Sequence, residues 1–557
     1  MSLVEKYAKC DFDSYEEFYK NFKLNIPEKF NFAVDIVDEW ARIEPEKIAL
    51  IWCNDKGEER KATFCDIRDE SMRAANYFKS LGYKKGERVM VVLKRHYEFW
   101  PIIVALHRIG MVAIPATHLL TEKDFVYRFE CASVSHIIVS GEGNIASRVD
   151  SATKQYHGIK TRVCVREAHG GWSLYDDAIQ RFEPHFAPPV GEDEVTKSDI
   201  SLLYFTSGTT GYPKMVCHDF AYPLSHIVTS KFWQCVRENT LHLTVSETGW
   251  AKSVWGKLYG QWICGAGVFV YDYSDHFTPI DLIHKIEKYR VTTFCAPPTI
   301  YRFLIKEDLA RFDLSSLKYC AIAGEPLNPE IYNKFLEITG LKLHEGFGQT
   351  ESVVSLANWP WIEPRPGSMG KPAPYYDVVL MRDDGEECEP GETGQLCYRL
   401  KDEQHGLFCG YFNNPELNSL VIHDGYYWTG DLAWCDEDGY YWYVGRADDI
   451  IKSSGYRIGP FEVESALMEH PAVLETAITA VPDEIRGQVV KATIVLAKGY
   501  TASEELKKEL QNHVKQSTAP YKYPRVVEFV DELPKTISGK IRRKKIRDVD
   551  SGTTSDY

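Results

Sequence analysis

Within YFTSGTTGYPKM, residues 204 to 215, the glycines Gly208 and Gly211, the hydroxyls of Thr206, Ser207, Thr209 and Thr210, and the cation Lys214 follow an apolar run directly. Glycines let backbone approach a ligand, and successive N–H groups with Ser/Thr hydroxyls form a concavity suited to phosphate oxygens. Lys214 adds a point charge. The pattern is not GxxxxGK[ST] opening a helix, because Pro213 precedes the Lys and holds Tyr212 extended. The stretch predicts a phosphate-covering loop after a strand, where α/β proteins bind ligands. Alone, it is also compatible with a glycine-rich surface turn.

The elements that must position this loop follow from periodicity. IALIWC, RVMVVL (88–93), HIIVS (136–140), SLLYF (201–205), LHLTV (241–245) and TTFCA (292–296) read as strands. DIRDESMRAANYFKSLG (66–82) and PIDLIHKIEKYR (279–290) have helical spacing, the first with a Gly stop. Such alternation implies an α/β fold: a large N-terminal domain of mostly parallel sheet covered by helices. From about 365 to 445, Gly and Pro punctuation with short aromatic runs predicts a β-rich subdomain. After GRADDIIKSSGYRIGP (445–460) a small mobile α+β unit is expected, which places domains at 1–446 and 447–557.

At 557 residues, a single core is excluded. Composition, with 44% hydrophobic and 26% charged residues, is that of a folded soluble protein. A net charge of -15 argues against nucleic acid as a partner. The 14 cysteines contain no CxxC, and their spread fits reduced thiols. FWPIIVALHRIGMVAIP (99–115) is too short and polar to span a bilayer, so no membrane partner is expected. The acidic, amphipathic N-terminal stretch lacks leader character, and a cytoplasmic location is expected.

Six ordered motifs change the weight of the loop: TSGTTGYPK (206–214), AGEPL (323–327), EGFGQTE (345–351), WTGD (428–431), GRADDIIKSSGYRIGP and PKTISGK. Together they resemble the adenylate-forming acyl-CoA synthetase superfamily, and within it the medium-chain acyl-CoA synthetases, over nearly the whole chain. The resemblance implies ATP, Mg2+ and coenzyme A, with a carboxylic acid activated as acyl-adenylate and passed to the coenzyme. It implies that Thr206, Ser207, Gly208, Thr209, Thr210, Gly211 and Lys214 hold the phosphates, with Thr350 near the α-phosphate. Glu351 is a candidate magnesium ligand or, more blandly, a helix N-terminal Glu. Gly324, Glu325, Pro326, Glu345, Gly346, Phe347, Gly348 and Gln349 would form the nucleotide slot, Phe347 stacking on adenine. Asp431 and Arg446 would take the ribose.

Lys540 would be the catalytic lysine of adenylation, neutralising charge between the α-phosphate and the attacking carboxylate. Its acetylation by a lysine acetyltransferase, reversed by a deacylase, would switch that step off. Asp448 and Lys452 are hinge candidates. Ser454, Gly455, Tyr456, Arg486, Lys515, Tyr523 and Arg525 would meet coenzyme A, the last four also being readable as surface groups. Arg457 would approach the acyl-adenylate. In the acid pocket Trp250 is the size-setting candidate, and Gly348 leaves space that acetate-specific relatives fill with Trp; Trp255 and Trp262 read as helix core. His218 reads as structural. An aryl-CoA ligase, a luciferase-like oxygenase, a peptide-synthetase adenylation domain and a non-catalytic nucleotide-binding protein are the alternatives. Retention of Glu351, Asp431 and Lys540 together argues against the last, and the short run after Lys540 against a carrier domain.

Overall fold

The computed structural model describes residues 2–206, 213–274, 277–454, 456–535 and 541–553. The strands expected from β-branched runs form, within a residue or two: Ile48–Asn54, Arg88–Val92, His136–Ser140, Ile200–Thr206, Leu241–Thr244 and Thr293–Ala296. The helix expected over 66–82 spans Phe64–Ser80, because Thr63 and Asp66 close a reciprocal capping box two residues earlier than the apolar pattern begins.

A seven-stranded sheet runs, edge to edge, through Ser173–Leu174, Thr161–Val165, His136–Ser140, Arg88–Val92, Val112–Pro115, Ile200–Thr206 and Lys214–Asp219. All pairs are parallel except the last, where Thr206 stands opposite Lys214 in antiparallel register. The two ends of the glycine-rich stretch are therefore pinned side by side.

A second sheet of 14 strands changes character along its width. From Ile48–Asn54 to Leu343–Phe347 its neighbours are parallel. From Phe347, paired with Leu356, through Ser368–Pro372, Tyr441–Arg446 and Tyr426–Cys435 they are antiparallel. The turn-rich texture after 365 is thus an extension of the parallel sheet. Leu343–Phe347 lies at the changeover, and the loop leaving it carries Gly348 to Glu351.

A separate five-stranded sheet contains Ile451–Ser453, Tyr456–Ile458, Val473–Asp483, Gly487–Leu496 and Val526–Phe529, packed with helices Pro460–Met468 and Glu504–Ser517. It touches the larger body where Asn328 Nδ2 donates to the Ser465 carbonyl at 3.3 Å and where the Tyr443 and Phe461 rings meet. No helix among the described residues is long and apolar enough to cross a membrane.

Candidate active site

Strand alternation puts Tyr427, Thr429 and Asp431 on one face of Tyr426–Cys435. Asp431 is only 4% exposed. Its Oδ2 accepts from Gln349 Nε2 at 2.6 Å, and its Oδ1 from the Tyr443 hydroxyl at 3.2 Å and Arg446 Nη1 at 3.3 Å. Burial pushes the Asp431 carboxyl up from its ordinary range, and Arg446 with the other donors opposes that. Gln349 is fixed at both ends of its amide, since Nε2 also donates to the Thr429 carbonyl at 2.9 Å and Oε1 accepts from Tyr427 at 2.8 Å. Gly430, at φ +74°, lets the Arg446 guanidinium cross it; a Cβ there would stand 2.9 Å from Nη2. The Phe347 ring lies 6.2 Å from that of Tyr443, whose hydroxyl holds this carboxylate.

Two residues beyond Gln349, Glu351 accepts the Tyr411 hydroxyl at Oε1, 2.8 Å away. The Lys214 ammonium stands 5.2 Å from the Tyr411 ring centroid. Burial lowers the Lys214 pKa and the nearby Glu351 charge opposes the shift. Glu351 begins no helix, so the helix-dipole reading of this residue falls away. Thr350 is held by its backbone: His218 Nε2 donates to its carbonyl at 2.8 Å. His218 is fully buried, stacks on Tyr222 at 3.7 Å and is driven down to about 4 by burial, so it is a neutral positioning residue.

The AGEPL segment stands at the solvent side. Gly324 is exposed at φ +106°, Glu325 accepts from Thr299 Oγ1 at 3.0 Å, and Pro326 is half-buried. Lys252 Nζ donates to the Ala323 carbonyl at 2.6 Å. Glu345 is buried; one oxygen accepts the Leu327 N–H at 3.3 Å, and burial pushes the carboxyl up to about 8. Burial thus favours its uncharged form near neutral pH. Gly346 backs onto Trp233.

One expectation is corrected by this geometry. The space beside Gly348 is not open: a Cβ there would lie 2.4 Å from Trp255 Cη2 and 2.6 Å from the Val353 carbonyl. Trp255 brings its indole against Gly348 from its helix, Ala251–Gly256. Trp250 is the half-buried residue preceding that helix. In the arrangement described, the short strand Tyr456–Ile458 carries Arg457 to Asp383, with which it forms an ion pair.

Among the other expected residues, Asp448 lies 3.6 Å from Arg446 Nε, and Lys452 is exposed. Lys515 and Arg525 flank the Tyr523 ring at 4.1 and 4.8 Å, Arg525 donating to the Tyr523 hydroxyl at 2.6 Å. Arg486 pairs with Asp483 at 3.8 Å. Tyr456 is half exposed and stacks on Tyr521 at 4.1 Å; it follows Ser454, which turns at φ +50°. Ser207, Gly208, Thr209, Thr210, Gly211, Gly455 and Lys540 lie outside the described residues. The motifs did not flag Tyr411, Tyr427 or Tyr443, which orient the carboxylates and Gln349. Tyr427 was findable by period-two alternation from Asp431, but Tyr411 belongs to no motif and comes near only through folding.

The family model for AMP-binding enzymes matches residues 37–412, and that for the AMP-binding enzyme C-terminal domain matches 462–540. Acyl-coenzyme A synthetase ACSM3 of Mus musculus is 40% identical over 98% of this chain and 94% of its own; ACSM4 of Homo sapiens is 42% identical over 94% and 91%. Among solved structures, an anthranilate CoA ligase bound to anthranoyl-AMP superposes with a TM-score of 0.85 at 28% identity, covering 95% of this chain and 99% of that one. A benzoate CoA ligase from Burkholderia xenovorans gives 0.79 at 26%, covering 93% and 100%. The chain belongs to the AMP-binding enzyme family, as an acyl-coenzyme A synthetase.

The expected cytoplasmic location is overturned, because these curated acyl-CoA synthetases are mitochondrial. Free thiols report reducing surroundings without saying which compartment provides them. Leu3, Val4 and Phe18 of the acidic N-terminal stretch are part of the packed core.

Proposed function

We propose that this enzyme activates a medium-chain or short branched carboxylic acid with ATP, releasing pyrophosphate, and transfers the acyl group from the adenylate to coenzyme A, releasing AMP. One observation carries the reading: Gln349 binds the buried Asp431 on one side and leads, two residues on, to Glu351 beside Lys214. A diol-accepting carboxylate on Tyr426–Cys435 and the phosphate-facing pair of Glu351 and Lys214 are thereby linked through the one loop that carries Gln349 and Glu351. In the first step the acid's carboxylate oxygen bonds to the α-phosphorus as the bond to pyrophosphate breaks. In the second, the coenzyme's sulfur bonds to the acyl carbon, AMP leaves, and the thiol proton passes to solvent. Positioning and charge stabilisation supply most of the rate in such displacements.

The residues present fit Mg2+. No group of three or more His, Cys, Asp or Glu side chains that could hold a metal occurs among the described residues, whereas this cation uses one or two carboxylates with phosphate oxygens and water. Glu351, oriented by Tyr411 through one oxygen, would hold it, and its charge would offset that of the phosphates. We assign Lys540 as the cation of adenylation, open to acetylation, on a C-terminal unit of 447–557 hinged near Asp448. Lys515, Tyr523, Arg525 and Arg486 are assigned to the coenzyme's nucleotide, whose phosphates their cations suit.

A second reading, an aromatic acid, is supported by the benzoate and anthranilate CoA ligases among the similar structures. A panel of alkanoic, branched and aromatic acids, assayed for pyrophosphate release without coenzyme A and for AMP release with it, tests both. Coenzyme-dependent AMP release with at least one acid is the expected result; ATP binding with turnover of none would overturn the proposal.

A further inference from the structure

Beside the loop 346–350 lies a buried cluster of polar groups with too few partners. Trp255 touches Gly348 on one side, and its ring centroid is 6.3 Å from that of His226 on the other. His226 is fully buried and held neutral by burial; its Nδ1 is 3.3 Å from Thr229 Oγ1, and its Nε2 has no hydrogen-bond partner. The Tyr222 hydroxyl and the Trp255 indole N–H lie near each other, yet neither makes a hydrogen bond of good geometry. Gln261 uses its amide nitrogen on Ser230, Gln234 and the Trp255 carbonyl, while its oxygen is unpartnered. These groups project from Tyr222–Ile227, Ala251–Gly256 and Tyr259–Ile263, and the first and last pack so closely that a Cβ on Gly260 would stand 2.5 Å from the His226 carbonyl.

Buried polar atoms are nearly always paired, and each unpaired one costs on the order of 1–3 kcal/mol. Several around one tryptophan, adjoining the loop that holds the reacting nucleotide, point to a ligand. We infer that His226, Tyr222 and Trp255 form the far end of the acid-binding chamber and select carboxylic acids that carry a hydroxyl or other hydrogen-bonding group on the tail or ring. This rests on the acid:CoA ligase reading and specifies its substrate class. A hydroxyl suits the site because it donates and accepts: it satisfies His226 Nε2 in either tautomer and can take the indole N–H at the same time. A plain hydrocarbon end would leave all of these groups unpaired, and sites built to bond a hydroxyl discriminate strongly against analogues lacking it.

The test compares kcat/KM in coenzyme-dependent AMP release for matched pairs: benzoate with its hydroxybenzoates, and hexanoate with 6-hydroxyhexanoate. At least one hydroxylated member is expected to be preferred tenfold or more, His226→Phe should bring that ratio close to one, and His226→Gln, which keeps a hydrogen-bonding side chain, should retain most of it. Preference for the unsubstituted acid in every pair overturns the inference and assigns these atoms to buried water. An unchanged ratio in a folded His226→Phe protein also overturns it. If that variant does not fold, the wild-type ratios and His226→Gln decide. Absence of AMP release with any acid would instead count against the ligase reading itself.

Discussion

The Tyr411 hydroxyl donates to Glu351 Oε1 across 2.8 Å, joining a residue outside every motif to a carboxylate whose charge acts on Lys214. The bond leaves Glu351 one oxygen for a cation and fixes its direction. Tyr411→Phe removes one hydrogen bond to a charged group, worth about 1.5–3 kcal/mol. The expected outcome is a fall in kcat/KM for ATP of about 10- to 100-fold, with a higher magnesium concentration needed for half-maximal rate. Glu351→Gln should lower adenylation further. A Tyr411→Phe enzyme with unaltered magnesium dependence would show that Glu351 is not the ligand.

Asp431 is held by Gln349, Tyr443 and Arg446, so the isosteric Asp431→Asn changes charge and donor pattern while keeping shape. Loss of a charge-assisted acceptor should raise KM for ATP by roughly 10- to 100-fold. ATP lacking ribose hydroxyls discriminates this from general damage. Wild type should lose affinity for 2′,3′-dideoxy-ATP, and Asp431→Asn should treat it much as it treats ATP.

Glu345 supplies a pH test. Burial holds its folded pKa at about 8 against an ordinary 4.5, so between those values the folded chain keeps a proton that the unfolded chain has released. Its contribution to stability is complete below about pH 4.5 and declines by roughly 1.4 kcal/mol per unit as pH rises towards 8. Glu345→Gln keeps an acceptor for the Leu327 N–H and cannot ionise. Thermal unfolding should therefore fall less steeply between pH 5 and 8 in Glu345→Gln than in wild type; parallel profiles would refute the buried-acid assignment.

The strands were legible because parallel strands buried on both faces are continuous β-branched runs, as in RVMVV and HIIVS. Asp431 was legible because WTGD is contiguous. The residues that aim these groups were not: Tyr411 is 60 positions from Glu351, and His218 is 132 from Thr350. Such pairs are created by topology, here by Lys214–Asp219 lying alongside Tyr411 at the sheet edge. Trp255 shows the same limit from the other side. Its helical spacing correctly implied burial, while its contact with Gly348 depends on how a helix meets a strand end.

Lys540 lies apart from the nucleotide motifs in the sequence, on the C-terminal unit proposed to hinge near Asp448. Under the proposed function, adenylation uses its charge and thioester formation does not. Lys540→Ala should lose acyl-adenylate formation by about 10²- to 10³-fold, the scale for removing one transition-state charge partner. The same protein, supplied with synthetic acyl-adenylate and coenzyme A, should form thioester within a few-fold of wild type. Equal loss in both half-reactions would assign Lys540 a structural role.

The contact between Gly348 and Trp255 predicts a swap. Gly348→Trp alone places an indole where Trp255 already stands, with backbone at 2.6 Å on the remaining side, so it should lower both stability and activity on every acid. Overpacking of this kind costs typically 1–3 kcal/mol. Combining it with Trp255→Gly empties the occupied volume and should restore folding. The measurement is a thermal unfolding cycle over the four proteins, where the double variant should recover most of the loss shown by Gly348→Trp. Trp255→Gly alone should enlarge the chamber and shift kcat/KM towards longer acids, since each additional buried CH2 contributes about 0.8 kcal/mol. If the two substitutions are additive in stability, the rings do not compete for one space, and the size of the acid chamber is set elsewhere.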